Sequence, residues 1–459
     1  MKSLLEIVKR TSELFRITAG DAFRIISSPR QNLRQIHRVS FIRNAVYLMA
    51  NSGITLILGF VFWIVVARFY TVSEVGYGSA LLSATALLSF VGTMGLGYGI
   101  VRYLPVSDNK IRLINSSFML AGLAAVVTAL IFLGGLSLWS PELIFVRQNP
   151  IFLAAFVIGT AVVTLNGVAT PTFIAFRRSG FVLIQGIVAG GLRLVLVVGL
   201  AYLFRVFGIF ASHGLALAVS LGICLLVFLP RMLPRYRPIP SFHWQTSKKL
   251  ATFSFTNYIS EGLWSLPTWI LPLMILNTRG AEDNAYFYMA WSMATLLLAI
   301  AMSISFSLFA EGTYEVKNVS RNLISSFKLI VLLLLPAAAV LALLSDKLLL
   351  VYGGEYSAEG ARLLQILALA SLPASINYLY LGLARVEVRL KSLILVPGVI
   401  ALGTLVLGYI LLPHLGILGV GMSWLATQTA LMFFTVPRLV QKIRHSGSPL
   451  DITGNSVQE

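Results

Sequence analysis

Two groups of side chains in this 459-residue chain have the types and spacing to handle charge in an apolar setting. Gln185 and Arg193 stand eight residues apart, on roughly one face of a helix, and Gly186, Gly190 and Gly191 between them leave room for a neighbouring backbone or a bulky ligand. A guanidinium stays protonated in proteins and offers a planar fork to two phosphate oxygens, which makes Arg193 an anion handle. Asn257, Glu261 and Trp264 fall at i, i+4 and i+7, a polar stripe on an otherwise apolar helix. A lone carboxylate there suits exchange of a proton or retention of a sodium ion. A silent ion pair between Arg193 and Glu261 is the competing reading. Pro267 and Pro272 follow, and loss of their backbone donors predicts a kink or break. Asn51, seven residues after Asn44, either lines a cavity or bonds helix to helix. Trp264, Tyr286, Tyr288, Trp291, Tyr378 and Tyr380 could stack on sugar faces, although most such rings pack cores or sit at membrane edges.

The elements that position these residues are membrane spans. The chain is 57% hydrophobic and 11% charged, against about a quarter charged in soluble domains, so it is an integral membrane protein. A span needs about 20 mostly apolar residues. Twelve such stretches run over 44–69, 79–101, 113–138, 151–175, 181–204, 207–229, 250–276, 285–309, 323–344, 363–383, 392–412 and 415–436. Arg193 and Glu261 are the two charges deep inside them, where even the mildest scale assigns a cost of about 2.5 kcal/mol.

Alternating the connections and counting basic residues sets the orientation. With both termini cytoplasmic, 28 of the 35 Lys and Arg fall on the cytoplasmic side and six on the other, the positive-inside bias expected of a plasma (inner) membrane protein. Basic loops against anionic headgroups account for the net charge of +18 without nucleic acid. Residues 1–43 carry Leu4, Leu5, Val8, Phe15 and Ile26 among Lys9, Arg10, Arg16 and Arg24, which reads as an amphipathic cytoplasmic segment on the inner leaflet. No cleavable signal peptide is visible, and the single Cys224 rules out an intramolecular disulfide or a cysteine metal cluster.

The chain also resembles itself. NKIRLINSSF from Asn109 and NVSRNLISSF from Asn318 share Asn, Arg, Ser, Ser and Phe at an offset of 209, each where a loop enters the third span of a half. Gly208 and Ile209 match Gly416 and Ile417, and Pro230 and Arg231 match Pro437 and Arg438. These collinear matches predict a duplicated six-helix unit: an N-lobe over 44–230, a cytoplasmic linker over 231–249, a C-lobe over 250–438 and a tail over 439–459. Six is even, so the halves insert the same way round, with the substrate path between them. Arg193 and Glu261 then belong to opposite lobes and are candidates for a contact made and broken across the cavity.

No HExxH, paired carboxylates at working spacing or phosphate-binding glycine loop occurs, so an enzyme is not expected and no cofactor is implied beyond proton or sodium coupling. ARFYTVSEVGYGSALL at 67–82, GLGYGIVRYL at 95–104 and LLVYGGEYSAEGARLLQILALASLP at 349–373 resemble the polysaccharide flippases of the multidrug/oligosaccharidyl-lipid/polysaccharide (MOP) exporter superfamily. The resemblance spans nearly the whole chain, but many members have fourteen helices and some more cavity cations. It implies an all-α protein of two six-helix bundles in a V around a central cavity. It further implies an isoprenoid-pyrophosphate-linked saccharide carried from the inner to the outer leaflet, with membrane lipids and polysaccharide-assembly membrane proteins as further partners. On this reading Arg193, Gln185, Asn257, Trp264 and Asn51 bind substrate and Glu261 couples the ion. Two alternatives stand beside it: a cation-coupled multidrug antiporter of the same superfamily, and a non-transporting scaffold of a glycan-synthesis complex.

Overall fold

The computed structural model describes residues 33–239, 244–314 and 318–445. The described residues hold twelve helices long and apolar enough to cross a membrane. We label them α1 (Val46–Phe69), α2 (Val72–Thr93), α3 (Lys110–Gly134), α4 (Pro150–Ala175), α5 (Ser179–Phe204), α6 (Val206–Met232), α7 (Tyr258–Arg279), α8 (Ala281–Phe309), α9 (Val319–Leu343), α10 (Gly354–Val386), α11 (Leu390–Leu415) and α12 (Ile417–Arg444). They form two six-helix bundles, α1 to α6 and α7 to α12, around a central cavity.

Several boundaries differ from the hydropathy reading for local chemical reasons. The second span begins at Val72, not 79, because Thr71 and Glu74 close a capping box: the Glu74 amide donates to Thr71 Oγ1 at 3.3 Å and the Thr71 amide to Glu74 Oε2 at 2.9 Å. It ends at Thr93, since Met94 and Gly95 adopt left-handed backbone (φ 48° and 70°), and a separate short helix follows at Leu96–Tyr103. The third span stops at Gly134 and a four-residue helix, Leu136–Trp139, succeeds it. The tenth starts at Gly354, nine residues early, because Glu355, Ser357 and Glu359 dilute hydropathy without opposing helix formation. Helix is already formed from Trp244, inside the predicted linker, and from Leu33, inside the predicted N-terminal segment; residues 1–32 and 446–459 lie outside the described residues. Pro267 and Pro272 do not break α7, which runs as one helix to Arg279. A π-helical turn instead interrupts α6 at Cys224–Phe228.

The halves repeat in three dimensions. α2 and α8 begin 209 residues apart, as do α3 and α9, while α5 and α11, and α6 and α12, begin 211 apart. The turns agree with the second figure. Arg177 and Val388 have φ of 56° and 54°, and Arg205 and Gly416 have φ of 40° and 57°. Gly416 therefore corresponds to Arg205, and the sequence match of Gly416 to Gly208 is displaced by three residues. One hydrogen bond recurs in this register: Asn166 Nδ2 donates to the Leu217 carbonyl at 3.2 Å, and Asn377 Nδ2 to the Gln428 carbonyl at 3.0 Å. Each ties the fourth helix of a half to its sixth.

Contacts between lobes are unevenly distributed. α2 packs against α7 and α8, and Gly76 lies so close to the Ala281 carbonyl that a Cβ there would overlap it. Asn284 seals this end by donating to the Gly76 carbonyl at 2.7 Å and to Ser79 Oγ at 3.1 Å. Nearby, Arg68 donates to the Val351 carbonyl at 3.2 Å, and Phe60 and Trp63 meet Tyr352 and Tyr288 with ring centroids 6.0 and 4.7 Å apart. The opposite half of α1 lacks such cover: Val46 and Met49 are 48% and 74% exposed.

Candidate functional site

Arg193 occupies a hollow of about 400 Å³ inside the first bundle, between α1, α4, α5 and α6. Its wall brings together Asn51 and Thr55 from α1, Asn166 and Thr170 from α4, Gln185 and Arg193 from α5, and His213 from α6. The glycines of α5 work as their spacing suggests. Gly186 packs directly against the Asn51 amide and Gly190 against Leu58, so a larger residue at either position would displace the side chains of α1 that face the hollow.

The polar groups form a chain of amides rather than ion pairs. Gln185 Nε2 donates to Asn166 Oδ1 at 2.8 Å, and Asn166 Nδ2 donates onward to the Val162 and Leu217 carbonyls. Arg193 Nη1 donates to His213 Nδ1 at 3.3 Å, so that nitrogen carries a lone pair and the neutral ring keeps its proton on Nε2. The guanidinium carbon lies 4.1 Å from the centroid of Phe62, a cation–π contact. Arg193 Nε, Asn51 Oδ1 and Gln185 Oε1 are buried without hydrogen-bond partners among the described residues. No carboxylate lines the hollow, and Arg193 forms no ion pair among the described residues. A buried charge of this kind favours an anion, which would meet the orphaned donor and the missing countercharge together.

Glu261 is elsewhere. It is exposed and accepts a 2.7 Å hydrogen bond from the Tyr98 hydroxyl, across the boundary between lobes. One turn earlier, Tyr258 stacks on Phe90 with centroids 4.3 Å apart and donates to the Phe90 carbonyl at 2.8 Å. The Arg385 guanidinium lies 5.1 Å from the Phe306 centroid. The expected encounter of Arg193 with Glu261 is therefore absent in this conformation; each charge has its own partners, one inside a bundle and one at a seam.

The remaining sequence candidates separate from the hollow. Trp264 packs on Tyr378 with centroids 4.4 Å apart, within the second bundle. Tyr286 meets Tyr356 and Trp291 meets Trp424 edge-on, so these rings fill core rather than offer an open stacking face. Asn257 lies on the helix leading into α7, with its side chain outside the described residues. Asn44 accepts from the Ser179 amide at 2.9 Å, a helix-to-helix contact at the start of α5. Asn166, His213 and Tyr98 were missed, though Asn166 and His213 are polar residues within apolar runs and carry the signal that marked Asn51.

A twelve-span membrane protein with two pseudo-equivalent bundles and a charged intramembrane hollow has the architecture of a transporter. The chain belongs to the polysaccharide biosynthesis protein family, whose profile matches residues 41–309. No curated protein matches it in sequence. Among solved structures it is similar to the lipid II flippase MurJ in an inward closed conformation (TM-score 0.68, 12% identity, 88% of this chain and 90% of that one). It is also similar to a multidrug resistance transporter of the MATE family in an inward-facing conformation (TM-score 0.66, 13% identity, 88% and 99%). A third is a MOP superfamily transporter from Pyrococcus furiosus, described as having a binding pocket of reverse polarity that suggests a different function (TM-score 0.60, 13% identity, 89% and 96%). At these identities the likeness is one of fold.

Proposed function

We propose that the protein flips a lipid-linked oligosaccharide, an isoprenoid-pyrophosphate saccharide, from the inner to the outer leaflet of the plasma membrane by alternating access, with both termini cytoplasmic. The observation that carries this reading is the uncompensated charge of Arg193 in a hollow whose polar lining, set among apolar residues, is amides, hydroxyls and one imidazole with no carboxylate. Such a wall repels cationic drugs and attracts a pyrophosphate or an acidic sugar. In this proposal Arg193 holds the anionic group, with Gln185 and Asn51 beside it. The match to a polysaccharide biosynthesis family supports the same substrate class.

Glu261 supplies the coupling. A single carboxylate facing a phenol at the seam is placed to carry either a proton or a sodium ion.

The test is complementation. The wild-type chain should restore surface polysaccharide to a flippase-deficient strain. Arg193→Ala should insert normally and fail to restore it, and normal export by that variant overturns the proposal. The MATE-like fold together with the exposed carboxylate of Glu261 favours a second reading, a cation-coupled drug antiporter. Drug resistance in an overexpressing strain, without restored polysaccharide, selects it.

A further inference from the structure

A second cluster of cations lies far along the chain from Arg193, where α10 ends, α11 begins and α12 ends. In an alternating topology those three ends share one side of the membrane, the side with most of the basic residues. Tyr380, Leu383, Glu387, Arg389, Arg438 and Lys442 line a pocket there of about 210 Å³, room for about seven water volumes and hence for a phosphate group.

Its charge balance is positive. Glu387 is the one carboxylate, and both its oxygens are engaged: Oε2 lies 2.8 Å from Arg389 Nε and Oε1 2.7 Å from Lys442 Nζ. Three cations face one anion. Arg438 has no ion pair among the described residues; its guanidinium rests 3.5 Å over the Phe434 ring and 6.0 Å from that of Tyr380, which fix its plane and leave its donor edge available. The carbonyls at the end of α10 are already used, since the Glu387 and Arg389 amides donate to the Leu383 and Ala384 carbonyls, and the N-terminus of the 26-residue α11 adds its positive end.

Apolar surface adjoins this polar cup. Phe433, Phe434 and Val440 on α12 are 71%, 42% and 38% exposed and flank Arg438 along the helix. Cations at the mouth with apolar side chains beside them match an amphiphile whose phosphate sits at the interface and whose chains run down the helix. We propose that this pocket is a binding site for the phosphate of an anionic membrane lipid, with Arg438 as its principal ligand and Arg389 and Lys442 as supporting charges. The site is separate from the Arg193 hollow and does not depend on the nature of the transported substrate.

The test uses the full-length protein in phosphatidylcholine nanodiscs with and without phosphatidylglycerol, read by native mass spectrometry of retained lipid and by melting temperature. Wild type should retain phosphatidylglycerol and melt higher with it. Arg438→Gln should bind it about tenfold more weakly and lose the shift, while Arg438→Lys keeps part of both. Arg178→Gln, a basic residue elsewhere on the surface, should behave as wild type and separates this pocket from general attraction to an anionic bilayer. If Arg438→Gln is too unstable to purify, Arg389→Gln should weaken retention in the same direction. Equal retention by wild type and both variants overturns the site. Saturation by inorganic phosphate that displaces the lipid overturns the lipid assignment.

Discussion

The hydroxyl of Tyr98, on the short helix after α2, donates to the carboxylate of Glu261 on α7 across 2.7 Å, a side-chain bond that joins the two lobes. Both residues are exposed on the protein surface, and a single hydrogen bond of this kind contributes modestly. In a double-mutant cycle on melting stability, Tyr98→Phe and Glu261→Gln should couple by about 0.5 to 1.5 kcal/mol. Coupling indistinguishable from zero removes the bond as a link between lobes.

Arg193 should trade stability for function. A buried cation without a carboxylate costs free energy that a methionine of similar length would not. Arg193→Met is therefore expected to melt above wild type, by about 1 kcal/mol or more, while losing polysaccharide export. A variant that is both less stable and inactive would mark Arg193 as structural.

Gly76 packs directly against backbone of the other lobe. Gly76→Val cannot be accommodated against the Ala281 carbonyl, so the lobes must separate there. Ser79, now fully buried beneath Asn284, should become reachable. With Cys224 replaced by Ser, a Ser79→Cys probe should label with a membrane-impermeant maleimide much faster in the Gly76→Val background, and unchanged labelling contradicts the packing.

The recurring asparagines should be worth similar amounts in each half. Asn377 also donates to Gln428 Oε1 at 2.8 Å and accepts from Thr435 at 2.9 Å, all buried. Asn377→Leu leaves those partners unsatisfied and should cost about 1 to 3 kcal/mol in thermal unfolding, with Asn166→Leu in the same range. Losses below about 0.5 kcal/mol for both would show that the fourth and sixth helices hold together without them.

Hydropathy makes the twelve spans and their pairing into halves readable, because burial in lipid demands long uninterrupted apolar runs. It fails at residues 72–78, where Ser73, Glu74, Gly76 and Gly78 lower the average. The local signal there, Thr71 three residues before Glu74, was a helix start. Asn51, Gln185 and Arg193 share one hollow, as polar residues in apolar helices should. Which helices pack side by side is not encoded in spacing, so Asn166 and His213 join the hollow only through tertiary contact. The partner of Glu261 is likewise set by the break at Met94 and Gly95, which redirects the chain and presents Tyr98 to α7.

Among the described residues, α1 meets the second lobe near its Phe69 end, through Phe60, Trp63 and Arg68. Its 24 residues make a rod about 36 Å long. Fixed near Phe69, such a rod acts as a lever: a tilt of about 10° sweeps the far end, near Val46, sideways by about 6 Å, more than the width of a hexose ring edge-on. The Gly186 and Gly190 contacts bind α1 to α5, so the same swing would drag the wall of the Arg193 hollow with it. Displacement at the rim and reshaping of the charged interior are thereby mechanically geared to one another.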